Sequence, residues 1–163
     1  MVTLGISREQ ILEWLGRIAD PEIPVLTITD LGIVRGVTVG DDVVVELTPT
    51  YSGCPATEVI EQSVIDTLHE HGIESVRIER VLSPPWTTDW ISPEGRDKLR
   101  DYGIAPPAEG GSKRELLHGA HAIACPRCTS TNTAVVSEFG STACKASYKC
   151  NDCLEPFEYF KCL

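Results

Sequence analysis

Ile11, Trp14, Leu15 and Ile18 recur at intervals of three and four, a period that predicts an amphipathic helix over about Arg8 to Ala19. Ser7, three residues ahead of Gln10, gives that helix a capping-box start. Asp20-Pro21 ends it, because the residue before a proline is pushed out of the helical region and proline cannot continue the backbone ladder. The segment EIPVLTITDLG then reads as a loop. Ile33 to Val39 and Val43 to Leu47 are β-branched runs on either side of Gly40-Asp41-Asp42, the pattern of an antiparallel hairpin. From Pro55 to His71 the positions Val59, Ile60, Val64 and Leu68 return to helical spacing. Gly72 closes this second helix, and Ile73 to Leu82 alternates imperfectly as a third strand. The order αββαβ makes the first part of the chain an α+β domain.

Pro84-Pro85 breaks the pattern, and Ser92-Pro93-Glu94 begins a short helix that should stop near Gly103. This helix reads as an appendage of the first domain. The stretch IAPPAEGGSKRE has the proline, glycine and charge content of a linker. The organisation expected is a domain over residues 1–103, a linker over 104–117 and a small second domain over 118–163. Thr133 to Phe139 and Lys145 to Lys149, around Gly140, supply the second domain with a β-hairpin.

Charge narrows the function classes. The formal net charge is −10, and residues 1–119 carry 20 Asp/Glu against 10 Lys/Arg, while residues 120–163 carry four of each. An acidic body repels a phosphate backbone, so no nucleic-acid partner is expected and a zinc-dependent transcription factor is disfavoured. The start MVTLGISREQ carries no export signal and no run of about 18 apolar residues occurs, so the expected location is the cytoplasm with no membrane partner. In a reducing compartment clustered cysteines bind metal or do redox chemistry more often than they form structural disulfides.

Six of the seven cysteines lie in the last 39 residues. Cys125-Pro-Arg-Cys128 and Cys150-Asn-Asp-Cys153 are two C-x2-C pairs with 21 residues between them, close to zinc-ribbon spacing. Each pair can turn as a knuckle that points two thiolates at one metal, with the hairpin between carrying one knuckle opposite the other. Zinc is the metal favoured for Cys125, Cys128, Cys150 and Cys153; two redox dithiols or a rubredoxin-like iron site are the other readings. Cys144 and Cys162 have no such pairing and read either as buried thiols or as a second metal or redox pair. His118 and His121, just ahead of Cys125, read as surface or linker histidines.

In the first domain Cys54 stands alone, in Ser52-Gly53-Cys54-Pro55 at the start of the second helix. A helix N-terminus stabilises a thiolate, which could take a metal ion or attack a disulfide. A core cysteine beneath the turn is the alternative. Asp20, Glu22 and Asp30 sit in loops that could converge on the same edge, although Asp-Pro and Asp-Leu-Gly are also ordinary turn chemistry. Trp86 and Trp90 read as core packing or as contacts to a partner. The chain shows no flavin or nucleotide fingerprint, no paired Glu-x-x-His motif and no Ser/His/Asp context, so catalysis is not expected.

The ordered set Asp20-Pro21-Glu22-Ile23-Pro24, Asp30-Leu31-Gly32-Ile33-Val34, Gly53-Cys54-Pro55 and Pro84-Pro85-Trp86 resembles the MIP18, or DUF59, family over residues 8 to 103. That resemblance implies a small α+β scaffold serving iron-sulfur protein maturation, with the family's reactive cysteine at Cys54 and its acidic motif at Asp20 and Glu22. With CPRC, SEFGSTACKA, CNDC and EPFEYFKC following, nearly the whole chain resembles the PaaD-like accessory proteins of phenylacetate degradation. The resemblance implies a maturation role for the multicomponent phenylacetyl-CoA 1,2-epoxidase, through assembly of an iron or iron-sulfur centre carried transiently at Cys54. It implies the epoxidase components as partners, including the iron-sulfur flavin reductase, and is compatible with a homodimer. The alternative is a non-catalytic structural or electron-transfer subunit whose tail holds an iron-sulfur centre in place of zinc.

Overall fold

In the computed structural model, which describes residues 5–107 and 122–161, Ser7 opens the first helix as its spacing predicts. Its side chain accepts from the Gln10 N–H at 3.2 Å, and Gln10 Oε1 accepts from the Ser7 N–H at 2.9 Å. Helix α1 nevertheless spans only Arg8–Leu15. Gly16, a poor helix former, turns the chain, and the expected last turn is instead an irregular return in which Asp20 N–H donates to Leu26 O and Ile28 N–H to Ile18 O. The loop beyond has no regular strand, yet Ile23, Leu26, Ile28, Leu31 and Ile33 are all buried. It is a core element without periodicity.

Strands β1 (Val34–Val39) and β2 (Val43–Leu47) form the antiparallel hairpin, and α2 (Ala56–Glu70) leads to β3 (Val76–Arg80). β3 lies parallel to β2, in the sheet order β1-β2-β3, because a helical crossover returns the chain to the same end of the sheet. The β3 pairing is shorter than the apolar pattern from Ile73 suggests: Ile73 N–H donates to Leu68 O and so finishes the helix end. Val43, Val45, Val64 and Leu68 join Ile11 and Leu15 in the core. The αββαβ order and the α+β class are those read from the sequence.

The chain divides into two compact units, Met1–Trp86 and Thr87–Leu163. The second opens with a 3-10 turn, Thr88–Trp90, and helix α3, Pro93–Tyr102. Ser92 caps α3 by accepting from the Gly95 N–H at 3.0 Å, and Gly103, at φ 91°, ends it in the left-handed region. The helix read as an appendage of the first domain groups here with the second unit. The reason is the next element: Ile104–Ala105, inside the stretch with linker composition, forms strand β4 and pairs in parallel with the chain's last strand.

Strands β5 (Thr133–Ser137) and β6 (Lys145–Cys150) form the expected hairpin, and a further strand, β7 (Pro156–Phe160), pairs antiparallel with β6. The sheet order is β4-β7-β6-β5. One face carries a core of Ala105, Ile123, Cys125, Ala146, Cys150, Phe157 and Tyr159, with Tyr148 packed against it. Among the described residues, no helix is long and apolar enough to cross a membrane.

Candidate metal centre

Each C-x2-C segment folds into a knuckle stabilised by its own backbone. Cys125 N–H donates to Ser130 O at 2.8 Å and Thr129 N–H to Cys125 O at 2.9 Å; in the second knuckle Cys150 N–H donates to Glu155 O at 2.9 Å and Cys153 N–H reaches Cys150 Sγ at 3.5 Å. Residue Thr129 after the first knuckle and Leu154 after the second sit at φ 64° and 65°. The β5-β6 ladder pairs Thr133 with Cys150, which seats one knuckle against the other.

The four sulfurs of Cys125, Cys128, Cys150 and Cys153 lie within 4.8 Å of one another. Two close approaches run between knuckles, Cys125 Sγ to Cys153 Sγ at 3.7 Å and Cys128 Sγ to Cys150 Sγ at 3.5 Å. A tetrahedral ion with metal–sulfur bonds of about 2.3 Å sets its ligands roughly 3.8 Å apart, so this donor set fits a closed tetrathiolate site. Cys125 and Cys150 are buried, whereas Cys128 and Cys153 face solvent.

The surroundings pull the thiols of the cluster in opposite directions. The Cys153 backbone N–H, aided by that of Asp152, outweighs burial and draws the Cys150 thiol down to about 7. The Glu155 N–H favours the Cys153 thiolate, but desolvation and hydrogen bonds to the other thiols push it up to about 12. Cys128 is also raised: the Ser130 N–H lowers it, and desolvation with its thiol neighbours prevails. A divalent ion binds thiolates and displaces their protons, so metal binding weakens as pH falls.

The other candidates are placed differently. Thr48 N–H donates to Ile33 O, Val81 N–H to Leu47 O, Thr48 Oγ1 to Val81 O and Trp86 Nε1 to Leu31 O. These bonds gather the Asp-Leu-Gly loop, the loop that runs on to Cys54 and the Pro-Pro-Trp loop at one end of the first sheet. Cys54 is half-buried with a free thiol, two residues ahead of α2, and its carbonyl accepts from Thr57 N–H at 3.1 Å. Asp20 is buried, and its Oδ1 accepts from the Glu22 and Ile23 N–H groups, each at 2.8 Å. Asp30 Oδ2 accepts from the Thr27 N–H at 3.0 Å. Both carboxylates therefore order their loops. Among the described residues, Asp20, Glu22 and Cys54 do not form a group close enough to hold one ion.

Trp86 is a core residue of the first unit, and Trp90 is half-buried in the second. Cys144 is buried outside the thiol cluster, its sulfur 3.0 Å from Thr142 Oγ1. Its suggested partner Cys162, with His118 and His121, lies outside the described residues. Sequence reasoning passed over the polar side chains that bridge the knuckles: Arg127 pairs with Glu155, and Asp152 accepts from Ser130 and Asn132. The signal available was positional, since Ser130 and Glu155 each stand two residues past a knuckle.

Comparison with known proteins gives two family matches in one chain: an iron-sulfur cluster assembly protein family over residues 8–79 and a PaaD zinc beta ribbon domain over residues 109–161. A protein of Escherichia coli K12, provisionally named as a component of 1,2-phenylacetyl-CoA epoxidase, is 52% identical over 155 residues, which cover 91% of this chain and 89% of its own. The Fe-S protein maturation auxiliary factor SufT of Staphylococcus aureus is 38% identical over 80 residues, 46% of this chain and 88% of its own. Among solved structures, a DUF59 domain from Bacillus anthracis superposes with a TM-score of 0.53 at 26% identity, covering 56% of this chain and 90% of that one.

Proposed function

The chain belongs to the PaaD-like family of phenylacetyl-CoA epoxidase components, and from that premise we propose that it is a non-catalytic accessory factor that helps assemble the epoxidase's iron or iron-sulfur centres. The observation that carries this reading is the division of thiols. Four are gathered in a closed cluster in one unit, while Cys54 stands apart in the other, at a sheet end where three loops meet. A closed tetrathiolate site supplies folding free energy and keeps no open coordination position. Zinc, held by Cys125, Cys128, Cys150 and Cys153, is the resident metal in this reading. Cys54, outside any such cluster among the described residues, suits a donor that loses its proton, ligates iron in passing and releases it to a client. The client supplies the remaining ligands. Asp20 and Glu22 shape the adjoining loop. The partners are the epoxidase components, among them the iron-sulfur flavin reductase, and the setting is the cytoplasm.

Cys54→Ser tests the proposal, because it removes a thiolate and leaves the packing in place. The variant is expected to fold and keep its zinc, while co-expressed epoxidase components lose most of their iron. Fully iron-loaded, active epoxidase alongside the variant would overturn the role given to Cys54. The second reading, a resident subunit with an iron-sulfur centre in the tail, predicts a coloured protein with stoichiometric iron after anaerobic purification. A colourless protein with one zinc per chain rejects it.

A further inference from the structure

The two knuckles are related by a local pseudo-symmetry that extends beyond the sulfurs. Arg127 and Asp152 occupy the same place in their C-x2-C segments, and Glu155 and Ser130 each stand two residues past the second cysteine. The backbone repeats the relation: Cys125 N–H to Ser130 O at 2.8 Å matches Cys150 N–H to Glu155 O at 2.9 Å, and Thr129 matches Leu154 in φ. Across this relation run two bridges of opposite polarity. Arg127 extends from the first knuckle to Glu155 beyond the second, and Asp152 extends from the second to Ser130 beyond the first. Asn132 Nδ2 adds 2.8 Å to Asp152 Oδ1, and Asn151 Nδ2 reaches Asn132 Oδ1 at 3.1 Å.

Resting on the tetrathiolate reading above, we propose that Arg127–Glu155 and Asp152–Ser130 are paired latches that position the knuckles and set how fast the metal leaves the centre. The physical argument is the partition of the ligands. Each knuckle tethers its own two sulfurs, and sulfur contacts of 3.7 Å and 3.5 Å run from one knuckle to the other. A metal ion is released when the knuckles part, and the latches span that gap. Both are exposed, with Arg127 and Glu155 side chains at 68% and 38% accessibility. Their effect is therefore modest, and that of the Arg127–Glu155 ion pair is salt-sensitive.

The test is zinc release from the full-length zinc-loaded chain into excess chelating dye, followed by stopped flow. Arg127→Gln, Glu155→Gln and Asp152→Ala are each expected to release zinc about twofold to fivefold faster, with the milder Ser130→Ala in between. The double variant Arg127→Gln/Glu155→Gln should be no faster than its faster parent, because both lose one interaction; Arg127→Gln/Asp152→Ala should multiply. Added salt should speed release from the native chain and not from Arg127→Gln. Native rates in all single variants, or multiplication within the Arg127/Glu155 pair, would overturn the latches while leaving the zinc site intact. A chain that retains no zinc would overturn the metal reading itself, and the latches with it.

Discussion

Leu154 spends backbone energy on the metal centre. Its φ of 65°, like the 64° of Thr129, lies in the left-handed region that costs a residue with a Cβ about 1–2 kcal/mol. The knuckle imposes this turn, since the chain must reverse at once for Glu155 O to accept from Cys150. The Leu154 side chain is 63% exposed and recovers little by packing. Leu154→Gly is therefore expected to stabilise the zinc-loaded second unit by about 0.5–1 kcal/mol, the relief of strain less the entropy that glycine adds to the unfolded chain. A lowered melting temperature would refute the strain. At Cys54, by contrast, residue identity and neighbours alone left a reactive thiolate and a core thiol equally open. The structure places it half-buried ahead of α2, and its chemistry remains the proposal tested above.

Strand β7 shows how an element can be written in the chain and still be overlooked. Phe157 and Tyr159 alternate with Pro156, Glu158 and Phe160, yet the stretch is too short to stand out beside the cysteines. It decides the second unit's packing. Phe157 and Tyr159 enter the core face, and on the opposite face Glu158 Oε2 lies 3.2 Å from Lys145 Nζ, whose side chain is only 6% exposed. Glu158 also accepts from the Ser141 N–H at 2.7 Å, and a Cβ on Gly140 would come within 2.7 Å of its Oε1. Although burial raises it, hydrogen bonds from Ser141 and the Lys145 charge hold the Glu158 carboxyl below its ordinary value. A depressed carboxyl stabilises the fold above its unfolded pKa and loses that contribution as pH falls through the folded one. Glu158→Gln, which strands a buried ammonium, should cost about 1–3 kcal/mol at pH 7. Thermal melts in excess zinc should show a gap from the native chain that is flat between about pH 8 and 6 and narrows only below about pH 4.5. A gap that closes near neutrality would reject the carboxylate as its source.

The two units rest on different sources of stability. The first has Ile11, Leu15, Leu26, Ile28, Leu31, Val43, Val45, Val64, Leu68 and Ile73 almost wholly buried, an apolar core that needs no ion. In the second, the ligands Cys125 and Cys150 are themselves two of the seven residues in the cluster on the sheet's core face. A strong chelator, or Cys125→Ser, is thus expected to melt the ribbon and leave the first unit folded, as read by hydrogen exchange on the two units separately. Simultaneous loss of protection in both would refute this independence. Local spacing was enough to specify the hairpin of the first domain, its two helices, the caps at Ser7 and Ser92 and the two knuckles, because each is governed by contacts within a few residues. Long-range pairing decided the rest. Only the folded chain turns the segment after α1 into core, sets β3 parallel to β2, recruits Ile104–Ala105 from a stretch of linker composition and aims Arg127 and Asp152 across the thiols. These features depend on partners distant in sequence, and no periodicity within one segment can encode them.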